Sequence, residues 1–253
     1  MPISSSCNYT HYLPVDIQNH QNLDIKLLDY LVPLINQPKK QQFIILHSLG
    51  CHFKYNCRYS KEFAQFQPDL NSETDVTAIL NKYNLKTFED VSNNLDNKSL
   101  LTEVKTMLVN SYDNAILYTD FFLDSTIQVL EKTGKSCILV YVGDHGENLL
   151  DDDRHMFLHG TYSGSSYEYH VPMMVWYSNK YKRLHPQKIA ALKRNKTKQI
   201  SSMVIFHSLI DMASIHYADL DSSLSIVNPL LQSRETIWGL DANIKLIEIP
   251  TKK

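Results

Sequence analysis

The chain has 253 residues, 43% of them hydrophobic, which is enough for one large domain with a substantial core. Its formal net charge of -2 does not advertise a nucleic-acid surface. No apolar run nears the ~20 residues of a membrane helix, and the opening MPISSSCNYTHYLPVD lacks the apolar core of a signal peptide. Residues 1–24 read as a loop or disordered segment. In QQFIILHSLG, Phe43 to Leu46 reads as a short buried strand ending at His47. Residues 81–100 are rich in Asn and Asp without clear periodicity, as in a surface insertion. A long amphipathic helix follows. Its apolar positions Val104, Leu108, Tyr112, Ile116, Leu123, Ile127 and Leu130 fall three, four or seven apart, and Gly134 stands where a helix stops. The run from Cys137 to Val142 predicts a strand over 138–142, and HVPMMVWYS predicts another over 173–177. Lys180 to Lys198 is locally basic, either a solvated face or a contact for an anionic surface. ISSMVIFHSLIDMASI has helical spacing through Ile205, Leu209 and Met212.

Strands of near-continuous apolar character thus alternate with helices. That pattern predicts an α/β fold with a largely parallel sheet covered on both faces. No internal repeat or domain boundary is evident. Four cysteines, at 7, 51, 57 and 137, do not make a disulfide scaffold. Cys51 and Cys57 are close enough in sequence to pair in an oxidising compartment, and Cys137 reads as a small buried hydrophobe.

Chemistry-bearing residues gather after two of the strands. CILVYVGDHGENL sets Asp144, His145 and Glu147 at one strand's carboxyl end, where α/β sheets collect ligands. His159 follows in FLHGT, and LHSLGCHF sets His47 and His52 after the earlier strand. A carboxylate beside imidazoles suits zinc or a similar divalent ion. The bland alternative is an Asp capping the next helix.

LHSLGCHFKYNCRYSKEF, LVNSYDNAILYTDFFLDSTIQVLE, VYVGDHGENL, FLHGT and YHVPMMVWYS stand in the order found in bacterial phosphoethanolamine transferases. These are membrane-anchored, zinc-dependent members of the alkaline phosphatase superfamily. FHSLIDMASIHYADLDSSLSIVNP resembles their C-terminal segment. The resemblance implies an alkaline-phosphatase-like sandwich, with 25–245 as a partial sulfatase-like catalytic domain. It implies that Asp144 and His145 bind the catalytic zinc. His52 and His159 match histidines that bind the donor phosphate or a second metal and help proton transfer. Glu147 matches the family's DHGE, as a substrate-binding group or a first-turn carboxylate. Asn110, Tyr112, Asp113 and Asn114 match a helix motif of supporting and packing residues, and His47 is expected to be structural.

The implied reaction moves phosphoethanolamine from phosphatidylethanolamine to lipid A or another glycan at the periplasmic face of the inner membrane. In the family, a threonine attacks the headgroup phosphate and is later regenerated. That threonine, an acidic zinc ligand and the membrane helices all precede the matched motifs, and 1–21 contains no recognisable counterpart. Ser4, Ser5, Ser6 and Thr10 are candidates only by residue type. The expectation is therefore a C-terminal part of a catalytic domain, without its N-terminal strand and helix and inactive alone. Two alternatives remain open: a non-catalytic remnant or binding module of the same fold, and another sulfatase-superfamily hydrolase. Against the latter, no cysteine here starts the Cys-x-Pro-x-Arg motif of classical sulfatases.

Overall fold

The computed structural model describes residues 7–14, 22–39, 41–160, 165–240 and 245–249. The chain divides into two compact units, 1–133 with 149–157 and 134–148 with 158–253. Ser4, Ser5 and Ser6 lie outside the described residues, as do 15–21 of the amino-terminal segment.

The first unit is built from α1 (Leu28–Ile35), α2 (Glu73–Lys82) and the 35-residue α3 (Lys98–Lys132). Asn97 starts α3 by accepting the Leu100 N–H. Gly134, at φ +60, lies just past its C-cap. The buried face of α3 is only partly the apolar one. Val104 and Leu108 are buried as the periodicity predicts, but Ile116 is 47% exposed. Ser111, Asn114, Thr119 and Thr126 are buried instead.

These polar groups have partners. Asn114 Oδ1 accepts the N–H groups of Gln65 and Phe66, each at 2.9 Å, and its Nδ2 donates to Phe66 O. Ser111 Oγ accepts the Leu70 N–H, and Asn110 Nδ2 donates to Pro68 O. Tyr112 meets Tyr55 edge to face, and Asp113 is raised by burial above the usual carboxylate range. The helix motif thus holds the 65–70 loop in place, in line with its expected packing role. Buried amides and hydroxyls persist only when so satisfied.

Two expectations change in this unit. Residues 41–49 form no strand; Phe43 is 73% exposed and Ile45 51%. An apolar run reports a preference for burial and cannot by itself supply a neighbouring strand. The 81–100 stretch is more than a surface insertion. It folds into a 3-10 helix, Phe88–Asn93, with a Thr87/Asp90 capping box, and its Val91 is fully buried. Cys57 is buried, and Cys51 Sγ lies 3.7 Å from Thr119 Oγ1.

The remaining elements are β1 (Ile138–Val142), β2 (Asn148–Leu149), β3 (Phe157–Leu158), α4 (Ser166–Tyr169), β4 (Met173–Tyr177), α5 (Asn179–Leu184), α6 (Pro186–Asn195), α7 (Val204–Met212), β5 (Ile237–Leu240) and β6 (Leu246–Ile249). Both strands predicted from the apolar runs, β1 and β4, form with the expected limits, and α7 forms as spaced. The α/β class therefore holds. The direction of pairing differs. β1 runs antiparallel to β4, from Ile138 opposite Tyr177 to Val142 opposite Met173, and β5 runs antiparallel to β6. Continuous apolar character reports two covered faces, and strand direction follows only statistically from it.

In the second unit Ile138, Val140, Met173 and Val175 pack on a core of Val204, Met212, Ile226, Val227 and Leu231. Ser178 closes the strand pair by accepting the N–H groups of Cys137 and Tyr181. This core is what fixes the carboxyl end of β1, where the site begins.

Candidate functional site

Beyond β1 the pairing continues for one residue, with Gly143 N–H donating to Pro172 O at 3.2 Å. The chain then packs its backbone directly on α4. Gly146 N–H donates to Glu168 O at 2.7 Å, and a Cβ on Gly146 would lie 2.0 Å from Tyr167 O. Only glycine permits that approach.

Glu168 itself joins the two segments that carry the site. Its buried carboxylate accepts Asn148 Nδ2 through Oε1 at 2.7 Å and Gly160 N–H through Oε2 at 2.9 Å. Asn148 Nδ2 also donates to Leu158 O at 2.8 Å. The 146–148 and 158–160 segments are therefore held to each other by one carboxylate and one amide.

That clamp brings His145, Glu147 and His159 together, with a potential ligand atom from each within 4.8 Å of the others. The imidazoles of His145 and His159 stack with centroids 3.8 Å apart. His159 Nδ1 lies 2.9 Å from Glu147 Oε1. The Glu147 side chain is buried, and both histidine side chains are about one third exposed. His145 Nδ1 faces Gly146 O at 3.0 Å. A carbonyl oxygen can only accept, so Nδ1 carries the proton and Nε2 keeps a lone pair. A carboxylate at His159 Nδ1 imposes the same tautomer there.

Asp144 stands beside this group rather than in it. Its side chain is 85% exposed, with Oδ1 accepting the His145 N–H at 3.0 Å and lying 3.9 Å from His145 Nε2. His52 belongs to the first unit. Its Nδ1 faces Phe53 O, its N–H donates to Leu49 O, and its carbonyl accepts Arg58 Nε at 3.1 Å. The turn before it is pinned by Asp24, whose carboxylate accepts the Leu49 and Gly50 N–H groups at 2.9 Å each. Burial raises the Asp24 carboxyl above its usual range despite those bonds. His47 is exposed.

The donor set fits zinc in chemistry. Two imidazoles and a carboxylate, with the histidines reaching solvent, match the three-ligand, one-open-position pattern of catalytic zinc. Tetrahedral ligands at zinc distances lie about 3.4 Å apart, and the three potential ligand atoms here lie within 4.8 Å of one another. The sequence reading did not single out Glu168, Asn148 or Asp24. Nothing marks them as isolated letters, because their roles come from segments that only folding brings close.

A family model described as Sulfatase matches residues 2–215. The chain belongs to the sulfatase family. Among its sulfatase-family relatives, the phosphoethanolamine transferase EptC of Escherichia coli (strain RS218 / NMEC) is 28% identical over 220 residues. That match covers 87% of this chain and 33% of the relative. The Kdo(2)-lipid A phosphoethanolamine 7''-transferase of Salmonella typhimurium is 30% identical over 177 residues, 68% of this chain and 26% of the relative. The chain thus spans about a third or less of these relatives' length.

Among solved structures, the soluble domain of lipooligosaccharide phosphoethanolamine transferase A from Neisseria meningitidis superposes with a TM-score of 0.65 at 27% identity, covering 88% of this chain and 60% of that one. The C-terminal periplasmic domain of EptC from Escherichia coli, solved in complex with Zn, gives a TM-score of 0.71 over 93% of this chain and 59% of that one. At 24% identity that likeness speaks for the fold. The alkaline-phosphatase-like fold and the kinship with phosphoethanolamine transferases are thereby established. Among the described residues, no helix is long and apolar enough to cross a membrane.

Proposed function

We propose that this chain forms the C-terminal part of a catalytic domain that moves phosphoethanolamine from phosphatidylethanolamine to lipid A or another cell-envelope glycan, at the periplasmic face of the inner membrane. The observation that carries the proposal is the convergence of His145, Glu147 and His159 at the end of β1, in a chain whose relatives bear that activity in their names.

In this reading His145, Glu147 and His159 hold zinc, with Asp144 beside them. Bound zinc would offset the phosphodiester's negative charge and lower the pKa of a hydroxyl nucleophile. Glu147 Oε1 lies at His159 Nδ1 and keeps the proton there, which leaves Nε2 as the ligand atom of His159. Of the two histidines expected to bind phosphate, His159 serves here as a zinc ligand, and His52 keeps the expected role of a phosphate-binding imidazole.

The test is transfer of a labelled headgroup from phosphatidylethanolamine to lipid A, with zinc supplied. It is run on the chain alone and on the chain joined to the N-terminal catalytic part of a relative. Transfer by the joined protein that is lost on His159→Ala supports the proposal. A folded, zinc-loaded joined protein that transfers nothing overturns it. Covalent label on the chain alone would locate a nucleophile within these 253 residues.

A further inference from the structure

A second feature lies in the segment of α5 and α6. Residues 179–198 carry eight of the chain's 25 Lys and Arg and no Asp or Glu. They fold as α5 and α6, and the inward face of this pair is well anchored. Tyr181 is buried with its hydroxyl on Met212 O, and Ile189, Ala191 and Asn195 are buried. Two of the cations serve the fold. Lys188 pairs with Asp211 at 3.0 Å, and Lys198 Nζ donates to Leu231 O.

The other six, Lys180, Lys182, Arg183, Lys193, Arg194 and Lys196, are exposed. None of the six makes an ion pair among the described residues. Lys182, Arg183 and Lys193 line an open cavity of about 520 Å³ whose other walls include Pro186, Ile189 and Ala190. Leu184, at the end of α5, is 59% exposed.

Like charges concentrated without counter-charges repel one another, and a folded chain keeps them at little cost only where solvent or an anionic partner screens them. The shape of this patch favours a lipid surface. Cations ring a shallow pocket with an aliphatic wall, and an exposed leucine stands among them, as in segments that rest in a headgroup layer. Grooves for single-stranded nucleic acid instead interleave cations with exposed aromatic rings for base stacking. The single Tyr of this segment is buried and turned inward. We propose that the α5–α6 pair is a docking face for an anionic lipid bilayer, with Lys182, Arg183 and Lys193 gathering headgroup phosphates and Leu184 entering the interface.

The test is flotation of the purified chain with phosphatidylglycerol-containing vesicles and with pure phosphatidylcholine vesicles, at low and physiological salt. Binding is expected only to the anionic vesicles and weaker at higher salt. The triple variant Lys182→Gln, Arg183→Gln, Lys193→Gln should weaken partitioning by about a hundredfold, since each cation near an anionic surface contributes roughly fivefold. A control triple at exposed lysines elsewhere, Lys61→Gln, Lys86→Gln and Lys98→Gln, should weaken it far less. All six sites are exposed, and circular dichroism checks that both variants fold. No binding to anionic vesicles, equal losses in the two triples, or displacement from vesicles by a DNA oligonucleotide would each overturn the proposal. None of these results bears on zinc binding or headgroup transfer.

Discussion

Replacing Glu168 with Gln probes how the site is assembled. The carboxylate accepts two hydrogen bonds, from Asn148 Nδ2 at 2.7 Å and Gly160 N–H at 2.9 Å, one on each oxygen. Gln offers one acceptor oxygen and one N–H2 group, so one of the two donors must face another donor. One charge-assisted bond is then lost outright and the other becomes an ordinary one. The side chain is buried, so water cannot stand in. A lost bond to a charged group together with an unsatisfied buried donor costs about 2–4 kcal/mol. For a chain of this size that lowers Tm by roughly 5–10 °C. The substitution keeps volume and shape, so packing contributes little to the change. Gly160 follows His159 directly and Asn148 follows Glu147, so loosening the clamp should also weaken zinc binding about 10- to 100-fold, as for other supporting contacts of metal ligands. Thermal unfolding by circular dichroism and zinc titration by calorimetry read the two effects separately. A Glu168→Gln protein with wild-type Tm and wild-type zinc affinity would refute the account of how the two segments are held.

Other outcomes follow from the packing and the charges. Leu108→Ala, on the fully buried side of α3, should destabilise by about 2–5 kcal/mol, whereas Ile116→Ala, at 47% exposure, should stay within about 0.5 kcal/mol; equal effects in urea unfolding would contradict the assigned helix face. Burial raises the Asp24 carboxyl, so the folded state binds its proton more tightly than the unfolded state does. The stability it contributes is present below the unfolded pKa and is lost as pH rises through the folded one. The difference in unfolding free energy between wild type and Asp24→Asn should therefore fall as pH rises above about 4, and a difference that grows over that range would show the opposite shift.

The sequence made some parts of this molecule legible and concealed others for physical reasons. β1 and β4 were readable because five apolar or aromatic residues in a row rarely serve anything but a covered strand. The length and end of α3 were readable from periodicity and Gly134, but its exact buried face was not. Asn114 and Ser111 count as polar in any periodicity, yet they are buried because loop amides from 65, 66 and 70 satisfy them. Phe43 and Ile45 have the apolar character of a core strand but stand exposed, since pairing depends on a partner that the segment itself does not encode. At the site, His145 and His159 could be picked out from strand-end position and family resemblance. Their approach to Glu147 could not, because it depends on Gly146 packing against Tyr167 and on the Glu168 clamp. Asp144, the carboxylate that sequence placed first, stands solvent-exposed next to the cluster.

The central claim is that His145, Glu147 and His159 form a zinc-holding centre. Elemental analysis of the purified chain, saturated with zinc and then desalted, tests it most directly when repeated on the double variant His145→Ala, His159→Ala and on Glu147→Gln. The account predicts about one zinc per wild-type chain, none in the double variant, and weakened retention in Glu147→Gln. A folded double variant that retains as much zinc as wild type would contradict it.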